Sequence, residues 1–435
     1  MRLRGAQGLG PSFAGLLLTV SSPAALTAAA PAPAEFQPNT RVGPGGTRFK
    51  DYPHFRVYAA PNESVADTCG RQLEAAYSCF VGDLGWRSTG LSFRQETDDG
   101  PFYKLNVYRV DDLPGAAANT GTDMKEGLAF LNVVTRYLAE PSVTVHEFGH
   151  AMTYAAHWWI DQGRTGAWWE TVANFVADTY LTSPLCGPAR ARYGQAEGST
   201  LADLKKVIGD SHQVIVDGTR NTGNYYQAWP FLVYLFHNPD NVTGLGTTIF
   251  PNVWTRYKRN SNETPLHVLD RLASAGGARI QDVVARYWAR MAFVDIGHAK
   301  MQALFASQRR DLKYPNLDAV AGGGAGRYRP KPARQPRYMG ANIIPLKAAA
   351  GATVAVNVTA AAPFSAALAV RAAGGGVRYV ELPKGAGQTT VAGGEEAMLV
   401  VVNTPATLYL YDPFSLTREV SQGLDYQLQL TGATA

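Results

Sequence analysis

The sequence lacks three features that would indicate particular classes of protein. After the N-terminal residues no segment is long and apolar enough to span a bilayer, so stable membrane insertion is not expected. The net charge is only +5 and no block of lysines and arginines stands out, which argues against a nucleic-acid partner. Only 3 cysteines occur in 435 residues, and no histidine-rich segment lies near them, which argues against a cysteine nucleophile.

The first 34 residues have the pattern of a secretory signal peptide. Arg2 and Arg4 give a basic start, Phe13–Val20 is apolar, and alanines between positions 28 and 34 form a cleavage zone. The apolar stretch is far shorter than the roughly 20 residues of a membrane anchor. We therefore expect a secreted, extracellular protein.

The cysteines are Cys69, Cys79 and Cys186, an odd number for a secreted chain. Cys69 and Cys79 fall on one predicted helix, roughly 15 Å apart along its axis, so they cannot bond to each other there. At most one of them can pair with Cys186, and the sequence leaves open which one does.

The most informative run is His146–His150, which reads His-Glu-Phe-Gly-His, an HExxH motif. On a helix the two histidines lie one turn apart on one face, so both imidazoles can reach a single metal ion. Glu147 stands beside them, close enough to accept a proton from an activated water. The alternative is a helix that carries two unrelated histidines.

Glu170 makes that alternative less attractive. Zinc in a hydrolase usually takes three protein ligands and leaves a fourth position for water. Gly163 and Gly166 favour a short loop, after which Glu170 would lie in the first turn of a second helix. Alone, Glu170 could be a solvated carboxylate that the helix dipole favours. Together with the motif it predicts a His-His-Glu metal site.

These residues resemble the gluzincin metallopeptidases, the thermolysin-like branch of the zincins. The resemblance implies a Zn²⁺ ion held by His146, His150 and Glu170, with Glu147 as the general base. Only these positions match that family residue by residue. The Trp-Trp-Glu segment ending at Glu170 also resembles a group of secreted fungal and bacterial proteins of unassigned activity.

The resemblance extends to residues around the metal. Asn174 occupies the place where thermolysin-like enzymes carry an aspartate that orients the first histidine, and an amide raises ligand basicity less than a carboxylate does. Asp178 is an alternative for this orienting role. Gluzincins also bring a tyrosine or histidine to the developing oxyanion, and here Tyr225 or Tyr226 could do so.

Those two tyrosines have alternatives of their own. His212 and His237 are rival candidates for stabilising the oxyanion. Aromatic side chains beside a helix often belong to the core, so Tyr225 and Tyr226 could also be packing residues.

The predicted fold begins with an α+β zincin-like catalytic domain over residues 35–320. Runs rich in Val, Phe and Tyr predict a small mixed sheet, which is followed by a mainly helical half. By the resemblance, Gly127–Val134 is an edge strand along which the substrate backbone lies; the alternative is an ordinary strand of the sheet. The strand-like runs are His54–Ala59, Leu91–Gln95, Tyr103–Val110 and Gly127–Val134.

A Gly- and Pro-rich stretch, Ala319–Pro336, is the predicted domain boundary. Beyond it the hydrophobic period changes to two, which predicts an antiparallel β-sandwich over residues 337–435. The sandwich could be a structural cap or a binding module. We expect residues 35–320 to fold and act without it.

The sequence thus predicts a secreted zinc-dependent metallopeptidase-like hydrolase, with a protein, peptide or glycoprotein as substrate. The aminopeptidase pattern Gly-x-Met-Glu-Asn is absent, which favours an endopeptidase. One alternative is a non-catalytic secreted protein that binds zinc or glycans. Another is metal-assisted hydrolysis of a non-peptide substrate, because the tryptophans and tyrosines near the motif could line a sugar-binding cleft.

Overall fold

Residues 35–156, 162–261, 263–322 and 324–435 are described by the structure, a computed structural model. The predicted signal peptide lies outside these residues. The first part of the chain alternates short strands with two helices. Its elements are β1 (Phe36–Gln37), β2 (Phe49–Asp51), β3 (Phe55–Tyr58), α1 (Glu63–Tyr77), β4 (Phe102–Tyr103), β5 (Leu105–Val110), β6 (Ala118–Asp123), β7 (Leu128–Val134) and α2 (Pro141–Ala155).

A five-stranded mixed sheet, ordered β2-β3-β5-β7-β6, precedes the motif helix α2. β3, β5 and β7 run parallel to one another, while β2 and β6 are antiparallel edge strands. The central strands are rich in Val, Leu, Phe and Tyr, as expected for strands that are covered on both faces. A second, two-stranded sheet pairs β1 with β4.

One strand prediction in this region is wrong, and one correctly predicted strand has a different position in the sheet. Leu91–Gln95 forms turns, held in part by the Ser92 amide donating to the Gln95 side chain. Gly127–Val134 is not an edge strand, because β7 lies between β5 and β6. The edge is β6, whose polar sequence Ala-Asn-Thr-Gly-Thr-Asp carries no hydrophobic strand signal. Position 121 on β6 needs a glycine, because the Phe130 ring packs against it. A Cβ atom at position 121 would lie only 2.2 Å from that ring.

The middle of the chain is mainly helical, as predicted. A 3-10 turn, Tyr225–Gln227, precedes the sixth helix. The helices are α3 (Gln162–Thr182), α4 (Gly187–Arg192), α5 (Leu204–Gly209), α6 (Pro230–His237), α7 (Ile249–Arg256), α8 (Pro265–Ser274), α9 (Ile280–Met291) and α10 (Ala299–Gln308). None of the helices in the described ranges is long and apolar enough to cross a membrane.

The last part of the chain forms two five-stranded antiparallel sheets, ordered β13-β12-β15-β10-β17 and β14-β11-β16-β9-β8. Their alternate residues face each other in a shared apolar core. The elements are β8 (Leu317–Ala319), β9 (Arg327–Pro330), β10 (Ala341–Ala348), β11 (Ala352–Ala360), β12 (Phe364–Arg371), β13 (Val377–Glu381), β14 (Ala386–Val391), β15 (Glu396–Asn403), α11 (Arg418–Ser421), β16 (Tyr426–Thr431) and β17 (Ala433–Thr434).

The described protein is therefore a mixed α+β chain with a sandwich-like C-terminal region, which confirms the predicted fold class at this level. β9 lies inside the Gly- and Pro-rich stretch, where it pairs with β16 and extends one sheet of the sandwich. Residues 35–435 cluster as one unit. Helix α9 packs against β10, β12 and β15, and the Trp288 indole donates to the Met339 carbonyl over 2.8 Å.

A disulfide joins Cys79 to Cys186, with their Cα atoms 5.1 Å apart. Cys69 is free and buried. The structure thus selects one of the two pairings that the sequence left open. The bond connects the π-helical turn that follows α1 to the segment that follows α3.

Candidate metal centre

The candidate site lies between α2 and α3, which pack closely along their length. Successive contacts pair His146 with Asn174 and His150 with Glu170, so the two helices run antiparallel. Gly149 makes the close approach possible. A Cβ atom at that position would lie 2.8 Å from the Cα atom of Ala173, a distance that real side chains do not adopt.

Glu170 lies in the interior of α3, not in its first turn as predicted. The helix begins at Gln162, so Gly163 and Gly166 are helical and form no loop. Each glycine costs about 1 kcal/mol in a helix relative to alanine. Burial of neighbours such as Trp168, which is 1% exposed, offsets that cost through tertiary packing.

Three ligand atoms converge as the motif predicts. The Nε2 atoms of His146 and His150 lie 3.1 Å apart, and Glu170 Oε2 is 3.2 Å from the first and 3.3 Å from the second. A tetrahedral zinc with bonds of about 2.0–2.1 Å holds its ligand atoms about 3.3–3.4 Å apart. Among the described residues, no further histidine, cysteine or carboxylate joins this cluster.

Asn174 fixes the tautomer of His146. Its amide nitrogen donates to the Tyr226 carbonyl over 2.6 Å, so its oxygen, 2.8 Å from His146 Nδ1, must be the acceptor. The proton of a neutral imidazole is then on Nδ1, and the Nε2 lone pair points toward Glu170. Glu170 Oε2 is buried and makes no well-oriented hydrogen bond. Lone pairs that face each other in this way are stabilised by a cation, so the residues fit a metal ion.

His146 and Glu170 also change each other's proton affinity. Burial lowers the pKa of His146, but the close carboxylate of Glu170 and the charges of Glu147 and Glu170 outweigh it, so this pKa is raised. Burial raises the pKa of Glu170, yet the nearby imidazoles of both histidines, with Nε2 atoms 3.2 and 3.3 Å from Oε2, bring it well below its usual range. A proton can therefore hold the cluster together without metal, and a metal ion must displace it.

Glu147 is separate from the three ligands. Its side chain is buried, and its carboxylate accepts a hydrogen bond of 2.7 Å from Thr120 on the edge strand β6. The same hydroxyl lies 3.0 Å from the Glu147 carbonyl oxygen. Thr120 was missed at the sequence level, because nothing in its polar segment indicates a strand that contacts the motif helix.

Tyr225 and Tyr226 lie in the 3-10 turn that packs on α3. The Thr171 hydroxyl donates to the Tyr225 carbonyl over 2.7 Å, one residue beyond Glu170. Burial, followed by the negative charge of Glu170, raises the pKa of both tyrosine hydroxyls, and the charge of Glu147 adds to the effect at Tyr226. The Tyr226 hydroxyl thus remains a neutral hydrogen-bond donor near Glu170.

The alternatives to these residues lie elsewhere. Asp178 accepts from His298 Nε2 at 2.5 Å and from Thr200 at 2.7 Å, so it does not orient a candidate ligand. His212 is buried, and its burial, followed by the charge of Arg334, lowers its pKa to about 4. Burial and then His298 lower the pKa of His237.

A model described as "Family of unknown function (DUF6055)" matches residues 58–433. The chain belongs to this family. The DUF6055 match begins at the end of β3 and continues to β17, so it includes the metal cluster and both sheets of the sandwich. None of the curated proteins compared with this DUF6055 chain matches it.

Proposed function

We propose that this DUF6055 protein is a secreted zinc-dependent hydrolase of the gluzincin type that acts as an endopeptidase. One observation carries the proposal: two imidazole nitrogens and one carboxylate oxygen converge within 3.1–3.3 Å of one another, next to a buried glutamate. A zinc ion held there acts as a Lewis acid toward water and a carbonyl oxygen.

Glu147 is the proposed general base. It follows the first histidine directly, and its hydrogen bond from Thr120 fixes one carboxylate oxygen while the other stays available. In this role Glu147 accepts the proton of the attacking water and passes it to the leaving amine. Its burial limits competing solvent near the reacting atoms.

Tyr226 is the better of the two tyrosine candidates for stabilising the oxyanion. Burial, together with the charges of Glu170 and Glu147, raises the pKa of its hydroxyl and keeps that hydroxyl neutral. Asn174 holds the Tyr226 backbone and His146 together. A neutral hydroxyl donor in this position can stabilise negative charge that develops on a carbonyl oxygen.

The edge strand β6 supports a peptide substrate. In the described chain β6 pairs with β7 alone, so its other edge offers backbone donors and acceptors. Thr120 places this edge directly beside Glu147. An extended peptide that adds to the edge would bring a backbone carbonyl toward the metal cluster.

Secretion is part of the same proposal. The N-terminal pattern of residues 1–34 is that of a signal peptide. The disulfide between Cys79 and Cys186 is of the kind that persists in oxidising, extracellular surroundings.

A peptide-library digest tests the activity. Zinc-loaded protein should cleave library peptides internally, lose this activity with a chelator and regain it with added zinc. Glu147→Gln is the matched variant, since glutamine keeps the size and the acceptor for Thr120 but cannot take a proton. We expect it to retain zinc and to lose cleavage by several orders of magnitude.

Two results would contradict the proposal in different ways. Cleavage by Glu147→Gln at the wild-type rate would exclude Glu147 as the base. Bound zinc without cleavage of any library peptide would exclude the peptidase activity and favour the binding-protein alternative.

A further inference from the structure

An aromatic surface borders the proposed active site, and two distant parts of the chain build it. Tyr225 and Tyr226 come from the turn before α6, and Phe414 comes from the loop between β15 and α11. The ring centroids lie 4.6 Å apart for the two tyrosines and 5.7 Å apart for Tyr225 and Phe414. We call these three rings the aromatic ridge.

The ridge is exposed at both ends. The relative exposure is 46% for Tyr226 and 53% for Phe414, while Tyr225 between them is half-buried. Single exposed aromatic residues are common on protein surfaces. A contiguous row beside a cluster of converging polar groups is instead typical of a ligand-binding surface.

Phe414 is held firmly in its exposed position. Its amide donates to the Asp412 carboxylate over 2.8 Å, and the preceding residue, Pro413, accepts from the Gly218 amide over 2.9 Å. The ring lies on Gly218, where a Cβ atom would be 2.5 Å from Phe414 Cδ1. Tyr411, fully buried, anchors the same loop by donating to the Val216 carbonyl over 3.3 Å. The ring is therefore presented by a fixed loop, at little cost in entropy on binding.

The ridge and the edge strand flank the metal cluster from two helices. β6 contacts α2 through Thr120 and Glu147, and the tyrosine turn contacts α3 through Thr171 and Asn174. The ligand atoms lie between α2 and α3. A peptide extended along β6 directs alternate side chains to opposite faces of the sheet, so every second one would lie on the face where Thr120 contacts Glu147 beside the cluster.

We propose that the aromatic ridge binds a large apolar or aromatic side chain of the peptide, next to the bond that is cleaved. The inference rests on the proposed peptidase function and specifies its substrate class. Through Phe414 the C-terminal region supplies part of the substrate site.

Phe414→Ala in the full-length, zinc-loaded protein tests this inference. For matched peptides that differ only in Phe or Ala beside the cleaved bond, wild type should prefer Phe. The variant should lose about tenfold or more of that preference, expressed as the ratio of kcat/KM values. Its zinc content should equal that of wild type, because Phe414 contacts no candidate ligand.

Phe49→Ala is the control. Phe49 is 44% exposed, but it lies on β2, at the opposite edge of the sheet from β6. This variant should keep the wild-type preference. An unchanged preference in Phe414→Ala would overturn the role of the ridge while leaving the peptidase intact.

Two further outcomes separate the inference from its basis. If zinc-loaded wild type cleaves no peptide, the proposed function fails and the inference fails with it. If wild type binds oligosaccharides on a glycan array and Phe414→Ala does not, the ridge recognises sugars by stacking, and the peptide assignment is overturned.

Discussion

Asn174 connects a candidate metal ligand with the tyrosine turn. Its oxygen accepts from His146 Nδ1 and its nitrogen donates to the Tyr226 carbonyl. An aspartate, which thermolysin-like enzymes carry at the corresponding place, could make only the first of these contacts. The second contact needs an amide, which accounts for an asparagine at this position.

Substitutions at Asn174 should separate metal binding from catalysis. Asn174→Ala removes both contacts, and we expect zinc affinity to fall about 10–100-fold. Asn174→Asp keeps an acceptor for His146, so it should bind zinc far better than the alanine variant, but its rate of hydrolysis should fall because the Tyr226 turn is released. Zinc competition titrations and peptide hydrolysis measure the two effects. Wild-type zinc affinity in Asn174→Ala would exclude the orienting role.

Single residues of the site could be predicted where they share a local pattern. His146, His150 and Glu147 stand within one helical turn, so their spacing alone indicates a joint site. Thr120 and Phe414 are distant in sequence from the motif helix, and only the tertiary fold brings them near it. No rule of sequence spacing connects a polar strand or a surface loop to such a distant helix.

At the scale of elements, the contact between α2 and α3 determines the geometry of the ligands. Gly149 lies against Ala173, and the Cβ atom of Val176 would be only 3.2 Å from a Cβ atom at position 149. The side of α2 that carries Gly149 therefore approaches α3 backbone to backbone. This proximity allows the side chain of Glu170 to reach both histidines.

Gly149→Ala should push the two helices apart. We expect the free energy of unfolding to fall by about 1–3 kcal/mol through overpacking, and zinc affinity to weaken as the ligand atoms separate. Chemical denaturation and zinc titration provide the measurements. Gly187→Ala is the control, because it is helical in α4 and a Cβ atom there has no contact within 4 Å. Wild-type stability and zinc affinity in Gly149→Ala would refute this explanation.

The elements were predictable where hydrophobic period and length agreed. The pattern before the motif indicated β3, β5 and β7, and the alternation after residue 340 indicated six of the sandwich strands, β10–β13, β15 and β16. The start of α3 was misplaced, because Gly163 and Gly166 locally disfavour a helix that tertiary packing nevertheless stabilises. β6 was missed because an edge strand can be polar and is specified by its partner, β7.

At the scale of the whole molecule, the C-terminal sheets share a core with the helices. Nine residues from this region are at most 1% exposed within that common core. They are Tyr338, Met339, Ala341, Ile343, Ala369, Val400, Val402, Tyr411 and Val420. The Gln281 side chain also donates to the carbonyls of Pro405 and Ala406.

Residues 35–320 alone should therefore fail to fold cooperatively, in contrast to what the change of hydrophobic period first suggests. Removing the sheets exposes the apolar side chains of the helices that pack against them, at about 1.5–3 kcal/mol each, and several such losses are as large as the usual stability of about 5–15 kcal/mol. Thermal melting compares this fragment with the full chain. A chain that ends at Thr431 is the control, since it lacks only residues 432–435, which include the edge strand β17. A cooperative melt with bound zinc in residues 35–320 would refute the shared-core prediction.

The period-two pattern could predict the sandwich itself, because alternation follows directly from strand geometry. It could not predict that α9 covers one of the sheets. Residues such as Met339 and Val400 look alike in sequence whether they face the other sheet or a helix.

Elemental analysis of the purified, zinc-exposed and desalted protein tests the central claim most directly. We predict about one zinc per chain for wild type and for Glu147→Gln, and little or none for His146→Ala, His150→Ala and Glu170→Ala. The three alanine variants should remain folded by circular dichroism, so that loss of metal reports on the site alone. Absence of zinc from wild type, or full zinc content in the three ligand variants, would contradict the account.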